Sequence, residues 1–191
     1  MYQADRDPYC YAGTSVLKNV PGLSDQVALE RFETVVVAQR WREPLPQGKL
    51  SVRHFRSIHH HLFQDVYRWA GRFRTVRIHK GASTFCYPEH IPDQMKRLFG
   101  NLRDDEYFAQ SNPNEFASQA ARILATLNAI HPFREGNGRA QNAFLGLLTA
   151  RAGHSLDLAR LNDAAFLRAM IESFGGNVEP LAVQIRGLMD S

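Results

Sequence analysis

The sequence has little cysteine and no long apolar run. Its two cysteines, Cys10 and Cys86, are too few among 191 residues for the disulfide framework of a small secreted domain. We therefore expect free thiols in a reducing compartment, with a single bridge as the less favoured alternative. No apolar run approaches the ~18 residues that span a membrane. The first residues are polar and charged, so we expect no signal peptide.

A strong charge of one sign is also missing. The formal net charge is +4 and the isoelectric point is about 9.3, and no run of five basic residues occurs. This small excess suits an anionic ligand such as a nucleotide. It does not indicate a DNA-binding surface, and we expect no direct nucleic-acid partner. The sequence has no repeat or low-complexity segment, and its length suits one domain over residues 1–191.

Apolar residues at three- and four-residue spacing predict a mainly helical fold. After an irregular lead-in over residues 1–22, a helix is expected to begin at Ser24 or Asp25. A second apolar stripe runs from Val52 to Trp69 and predicts a helix of some 18 residues, capped by Ser51 and stopped by Gly71.

That second helix carries three consecutive histidines, His59, His60 and His61. Neighbouring helix positions point about 100° apart, so the three cannot converge on one metal ion. We expect them to lie on a polar face or to support the active site from a distance.

Residues 73–87 change character, because strand-forming residues flank a polar turn that contains Gly81. This pattern predicts a β-hairpin. An isolated hairpin is marginally stable, so it must pack on helices. Its open edge is a template for pairing with another chain, although a plain connector fits the spacing equally well.

The second half of the chain again predicts helices. A short helix is expected around Ile91–Phe99, followed by a polar connection over Gly100–Ser111. Asn112-Pro113 then begins a longer helix, with Asn as the N-cap and Pro in the first turn. Another helix ends before Gly153, and the last two are expected to be capped by Asn162 and Asn177.

One turn between two of these helices concentrates the chemistry: His131-Pro132-Phe133-Arg134-Glu135-Gly136-Asn137-Gly138-Arg139. Glycines at a helix N-terminus present unpaired N–H groups and the positive end of the dipole to a phosphate. Glu135 is a hard oxygen ligand for Mg²⁺, and Arg139 can bind phosphate oxygens. His131 can accept the proton of an attacking hydroxyl. The turn therefore predicts a phosphate and metal site with its own base.

Each of these side chains has a structural alternative. His131 can be a helix cap, Glu135 a solvated charge and Arg139 one half of a surface ion pair. It is less favoured that all three residues have only structural roles in a turn suited to binding phosphate than that they form a site. Phe133 is expected to fill the core, and Arg134 to point outward.

The segment His131–Arg139 resembles the signature of the Fic family and carries it in full. Residues 74–85 resemble the Fic flap, and the segment from Asp7 to Asn19 resembles the N-terminus of short bacterial Fic toxins and secreted effectors. This resemblance covers nearly the whole chain. It implies an all-α fold, a compact helical bundle with one β-hairpin, the flap over 73–87, packed beside the active-site loop. The helix–loop–helix core would span residues 113–151.

The resemblance also implies an activity: an adenylyltransferase that transfers AMP from ATP to a hydroxyl of a target protein and releases pyrophosphate. By matched position, His131 is the catalytic base and Glu135 binds Mg²⁺. The nucleotide phosphates are bound by Gly136, Asn137, Gly138 and Arg139. The flap residues that dock the target are expected to be Ile78, His79, Lys80, Gly81, Ala82, Ser83, Thr84 and Phe85.

Asn142 departs from the longer family pattern, which has a second arginine three residues after the first. It can donate a hydrogen bond to the nucleotide but carries no charge. Weaker ATP binding and a different nucleotide or diphosphate donor are both consistent with this change. So is a catalytically weak Fic module that acts by binding a protein through its flap.

The chain lacks the family's inhibitory helix motif, Ser/Thr-x-x-x-Glu followed by Gly or Asn. The nearest match, Ser111-x-x-x-Glu115, is followed by Phe116. We therefore expect a toxin controlled by a separate small antitoxin that carries this helix. The expected location is the bacterial cytoplasm, or a host cell after translocation, with no membrane partner.

Overall fold

The computed structural model describes residues 7–80 and 83–190, and within these ranges the protein has seven α-helices. The helices are α1 Gln26–Trp41, α2 Val52–Phe63, α3 Ile91–Asp104, α4 Pro113–Ile130, α5 Asn137–Arg151, α6 Asp163–Phe174 and α7 Glu179–Leu188. Short 3₁₀ helices cover Pro88–His90, Glu106–Phe108 and Leu158–Arg160. The prediction of a mainly helical fold is confirmed.

Helix α4 lies at the centre, packed against α3, α5, α6 and α7. It begins where predicted, because Asn112 Oδ1 accepts from the Glu115 N–H at 3.0 Å and the Glu115 carboxylate accepts from the Asn112 N–H at 3.1 Å. Glu115, the acidic residue of the nearest match to the inhibitory motif, thus serves as a helix cap. Asp25, Ser51 and Asn162 also cap their helices as predicted.

Helix α2 is shorter than its apolar stripe predicted. It ends at Phe63, and residues 64–72 form turns that lead to Gly71 at φ +76°. Trp69 still packs inward, stacked on Tyr67 at 4.4 Å between ring centroids. The apolar spacing therefore reported burial of this segment and not its helical conformation.

Two further boundaries differ from the prediction. Helix α3 continues through Gly100 to Asp104, because Leu102 supplies another fully buried apolar contact. The predicted polar connection therefore begins later. The residue at the N-cap of α7 is Val178, with no side-chain cap, and not Asn177.

The predicted hairpin over 73–87 is not confirmed at that length. Within the described residues, regular pairing joins only His79–Lys80 (β1) with Ser83–Thr84 (β2), antiparallel, His79 opposite Thr84. The turn residues Gly81 and Ala82 lie outside the described residues. Ile78 and Phe85, on either side of the pair, are buried, so the segment is held to the helices by its apolar ends.

The core beneath the central turn is aromatic. Phe55 lies 5.5 Å from both Phe133 and Phe144 between ring centroids, and 5.8 Å from Phe99. These rings join α2, α3 and α5 to the loop after α4. Both cysteines are free thiols, as expected. None of the described helices has both the length and the apolar character that a membrane crossing requires.

Candidate active site

The loop between α4 and α5 begins at His131, the C-cap of α4. Its backbone is left-handed, with φ 48° and ψ 63°. The sequence correctly placed this residue outside the helical region, but Pro132 after it favours extended backbone, so the left-handed form was not expected. This conformation turns the chain sharply and leaves the imidazole buried against the Phe85 ring, with 3.9 Å between centroids.

The His131 ring is oriented by its own helix. Nδ1 lies 3.2 Å from the Asn128 carbonyl oxygen. A carbonyl can only accept, so Nδ1 carries the proton and Nε2 is the basic nitrogen. The next carbonyls of the helix end accept from other groups: Ala129 from the Cys86 N–H at 3.0 Å, and Ile130 from Arg74 at 3.2 Å. The helix end is thereby tied to the residues before β1 and after β2.

Asn137 closes the loop. Its Oδ1 accepts from the Phe133 N–H at 3.0 Å, and its Nδ2 donates to the Phe133 carbonyl at 2.9 Å. The Phe133 ring is fully buried, as predicted. Because both polar atoms of the Asn137 side chain are used inside the loop, only the backbone N–H of this residue is left to bind a ligand.

The N-terminus of α5, called the cradle below, has the backbone geometry on which the prediction of a phosphate site rests. Gly136 is the N-cap, with φ +79°, and its carbonyl accepts the first helical bond, from Ala140 at 3.1 Å. The N–H groups of Asn137, Gly138 and Arg139 therefore occupy the positions that have no partner within a helix. Gly138 is exposed, so the surface of this helix end is open to a ligand.

Replacing Gly136 with Ala is expected to destabilise the fold by about 2–4 kcal/mol. The added Cβ would clash with the buried Phe63 ring, much closer than van der Waals contact allows, and φ is positive there. Gly138→Ala is the matched control, since nothing lies within 4 Å of its added Cβ. Guanidinium denaturation of both variants measures the difference, and equal stabilities would contradict this account of the turn.

Glu135 is half-buried and faces the same helix end. Its Oε1 accepts from the Gly136 N–H at 2.9 Å. Burial raises the pKa of this carboxyl above its ordinary value, and nearby Glu33 raises it further, while the Gly136 N–H and Arg139 lower it. A carboxylate whose charge is costly to bury is a good site for a cation.

The buried His59 side chain of α2 bonds the backbone of Glu135. Its Nδ1 accepts from the Gly71 N–H and its Nε2 donates to the Glu135 carbonyl, both at 2.9 Å. The ring lies 3.8 Å from Phe133 between centroids. Burial lowers the pKa of His59 to about 3, so it is neutral under ordinary conditions. His60 is exposed and His61 bonds Arg40, which confirms that the three histidines diverge.

Arg139 is the half-exposed cation of the site. Its guanidinium lies 2.5 Å from the Glu33 carboxylate of α1 and 4.6 Å above the Phe63 ring. The Tyr67 hydroxyl also donates to Glu33, and burial next to this carboxylate raises the pKa of Tyr67. Glu33 thus fixes Arg139 beside the helix end. No pattern near Glu33 in the sequence indicated this contact.

Arg134 does not point outward, and that prediction was wrong. Its Nε lies 2.6 Å from Asp7 Oδ2, and the two side chains are only 4% and 7% exposed. The described part of the lead-in, which starts at Asp7, contacts the loop at this point. An arginine at this position is buried because a carboxylate from the start of the chain compensates its charge.

Three comparisons place this geometry among known proteins. A sequence profile of the Fic/DOC family matches residues 49–149, which include the whole turn. The chain belongs to the Fic/DOC family. It is 48% identical over 189 residues to "Probable protein adenylyltransferase y4lH" of Sinorhizobium fredii, covering 98% of each chain. It is 36% identical over 188 residues to "Protein adenylyltransferase VbhT" of Bartonella schoenbuchensis, covering 97% of this chain and 39% of that protein.

The fold also agrees with that of a solved structure. The effector protein BepC of Bartonella tribocorum, crystallised with AMPPNP, superposes with a TM-score of 0.85 at 27% sequence identity. The match covers 95% of this chain and 96% of that one. The likeness therefore extends over the whole helical bundle and is not limited to the signature.

In this Fic/DOC chain, most predicted site residues lie at one place. Glu135 and Arg139 lie at the start of α5, His131 lies at the other end of the same turn, and Asn142 lies one turn further along the helix and is half-buried. Sequence reasoning missed Glu33, Arg74 and Tyr67, which hold the site from other elements. Among the described residues, no three metal-ligating side chains are grouped together.

Proposed function

We propose that this chain is a protein adenylyltransferase, which transfers AMP from ATP to a hydroxyl side chain of a target protein. The observation that carries the proposal is the placement of an oriented imidazole and a helix N-terminal cradle at the two ends of one turn. The names of the relatives and the AMPPNP bound to BepC support the same activity and co-substrate.

His131 is the proposed general base. The target hydroxyl oxygen forms a bond to the α-phosphorus, and the bond from that phosphorus to the oxygen bridging to the β-phosphate breaks. The hydroxyl proton moves to Nε2 of His131, and pyrophosphate leaves. The bond from Nδ1 to the Asn128 carbonyl holds the ring in the required tautomer and stabilises the imidazolium that forms.

The donor half is built on α5. The N–H groups of Asn137 and Gly138 and the Arg139 guanidinium are arranged for the phosphates of ATP. Glu135 is the residue that would hold Mg²⁺, and it fits, because this ion commonly takes one or two carboxylates and completes its shell with phosphate oxygens and water. When bound, Mg²⁺ supplies charge compensation for the phosphates.

The acceptor half is the segment from Ile78 to Phe85. Its buried ends fix it to the bundle next to His131, and the short β1–β2 pair has an edge that can add a strand from a target. We propose that an extended target segment pairs there and presents its hydroxyl to Nε2 of His131.

Control by a separate antitoxin is part of the proposal. It is supported by the sequence, in which the nearest match to the inhibitory motif serves as the cap of α4. Asn142 favours a second candidate, a weak enzyme that acts mainly by binding proteins. Calorimetry with ATP and Mg²⁺ separates the two, since no binding at millimolar nucleotide favours the binding module.

The activity is tested with ATP labelled at the α- or the γ-phosphate, incubated with the protein, Mg²⁺ and a bacterial lysate. Label on protein from α-labelled ATP alone, lost on addition of EDTA, is the expected result. Label from γ-labelled ATP alone would mean phosphorylation. If no protein is labelled with ATP, UTP, GTP or CTP, neither AMP transfer nor transfer of another nucleotide is supported.

A further inference from the structure

The active-site turn is held at two points by two buried side chains that do not belong to it. Arg74 is 2% exposed, and its guanidinium donates to four backbone carbonyls. These are His131 at 2.8 Å, Val76 at 2.7 Å, Cys86 at 2.6 Å and Ile130 at 3.2 Å.

The carbonyls that Arg74 binds belong to the end of α4 and to the residues on either side of the acceptor half. His131 and Ile130 are at the end of α4, while Val76 and Cys86 lie on the two sides of the β1–β2 pair. The Arg74 N–H adds a bond to the Pro132 carbonyl at 2.9 Å. One planar, five-donor group therefore sets the distance between the base and the segment proposed to dock the target.

His59 acts on the other end of the turn. Its bond to the Glu135 carbonyl fixes the backbone just before the cradle, and its bond to Gly71 fixes the imidazole itself. The fully buried ring lies between Phe63 and Phe133, at 4.7 and 3.8 Å between centroids, so it has little room to shift. Within the described residues, its hydrogen-bond and ring partners are Glu135, Gly71, Phe63, Trp69 and Phe133.

We propose that Arg74 and His59 are positioning residues for separate halves of the reaction. Arg74 aligns the base with the target hydroxyl, and His59 aligns Glu135 and the cradle with the ATP phosphates. This assignment rests on the proposed AMP transfer. It predicts that the two side chains affect different kinetic constants, although both are buried and both bond the same nine-residue turn.

Three variants separate the effects. Arg74→Lys keeps the positive charge but replaces the planar guanidinium, with its five N–H donors, by a compact ammonium group. His59→Asn retains an acceptor near the position of Nδ1 and loses the reach to the Glu135 carbonyl. His59→Gln has the length to restore that donor bond, and so serves as the conservative control.

Calorimetry with ATP and Mg²⁺ gives Kd, and label transfer to lysate protein over a series of ATP concentrations gives apparent kcat and KM. Arg74→Lys is expected to lower kcat by at least ~10-fold with Kd within ~2-fold, because a small misplacement of the reacting groups is costly. His59→Asn is expected to raise Kd and KM by ~5–10-fold, the equivalent of one hydrogen bond, with partial recovery in His59→Gln.

Circular dichroism sets an assay temperature at which every variant is folded, and Arg74→Gln replaces the lysine variant if that one does not fold. Arg74 variants that weaken ATP binding as much as His59→Asn does, or that retain full kcat, would overturn the assignment. So would a His59→Asn variant with unchanged Kd. If the wild type transfers no label, the proposed function is wrong. The roles of Arg74 and His59 are then tested by the Kd values alone.

Discussion

His131→Ala is expected to lower kcat for AMP transfer by about 10²–10⁴-fold, the usual contribution of a positioned general base. The ring bonds the Asn128 carbonyl of α4 and stacks on Phe85, whereas the proposed donor contacts are Glu135, Arg139 and the N–H groups at the start of α5. The affinity for ATP and Mg²⁺ should therefore stay within ~2-fold, since the predicted donor contacts remain. Label transfer and calorimetry on the same preparation measure both quantities.

His60→Ala is the matched control, because His60 is an exposed histidine of α2 with no role in the proposed mechanism. It should leave both quantities unchanged. Transfer by His131→Ala within ~10-fold of the wild type would remove His131 from the base role, given the usual size of this contribution. A parallel loss of ATP binding would instead show that the ring is needed to shape the cradle.

The parts of this site that the sequence predicted are those with local causes. Asn112 followed by Pro113 specifies the start of α4 through its own neighbours, and the glycines after Glu135 specify the turn into α5. The placement of His131, Glu135 and Arg139 on one turn was predictable for the same reason, since all three belong to nine consecutive residues.

The supporting contacts have no such local cause. Arg74 and His59 bond backbone carbonyls, which every residue has, across 57 and 76 positions of the chain. Glu33 reaches Arg139 across 106 positions. No side-chain pattern marks a carbonyl as a partner, so these contacts follow only from the packed helices. The length of α2 was overestimated for a related reason, because burial of Trp69 does not require a helix.

Breaking the pair between Asp7 and Arg134 is expected to have the largest effect on stability. Asp7→Asn should lower the free energy of unfolding by about 3–5 kcal/mol, the cost of leaving one buried charge without its counter-charge. The asparagine can keep the bond that Asp7 Oδ1 accepts from the Tyr9 N–H at 3.0 Å, so the loss reports on charge. Guanidinium denaturation of wild type and variant measures it.

The double variant Asp7→Leu, Arg134→Met tests the same cause by removing both buried charges instead of one. Removing both charges also removes the cost of burying them, so this variant should be more stable than Asp7→Asn although it lacks both groups. A loss below ~1 kcal/mol in Asp7→Asn would instead match an exposed ion pair, and the lead-in would then not be docked over the loop. Arg134 lies between His131 and Glu135, so a docked lead-in stabilises the base and the cradle together.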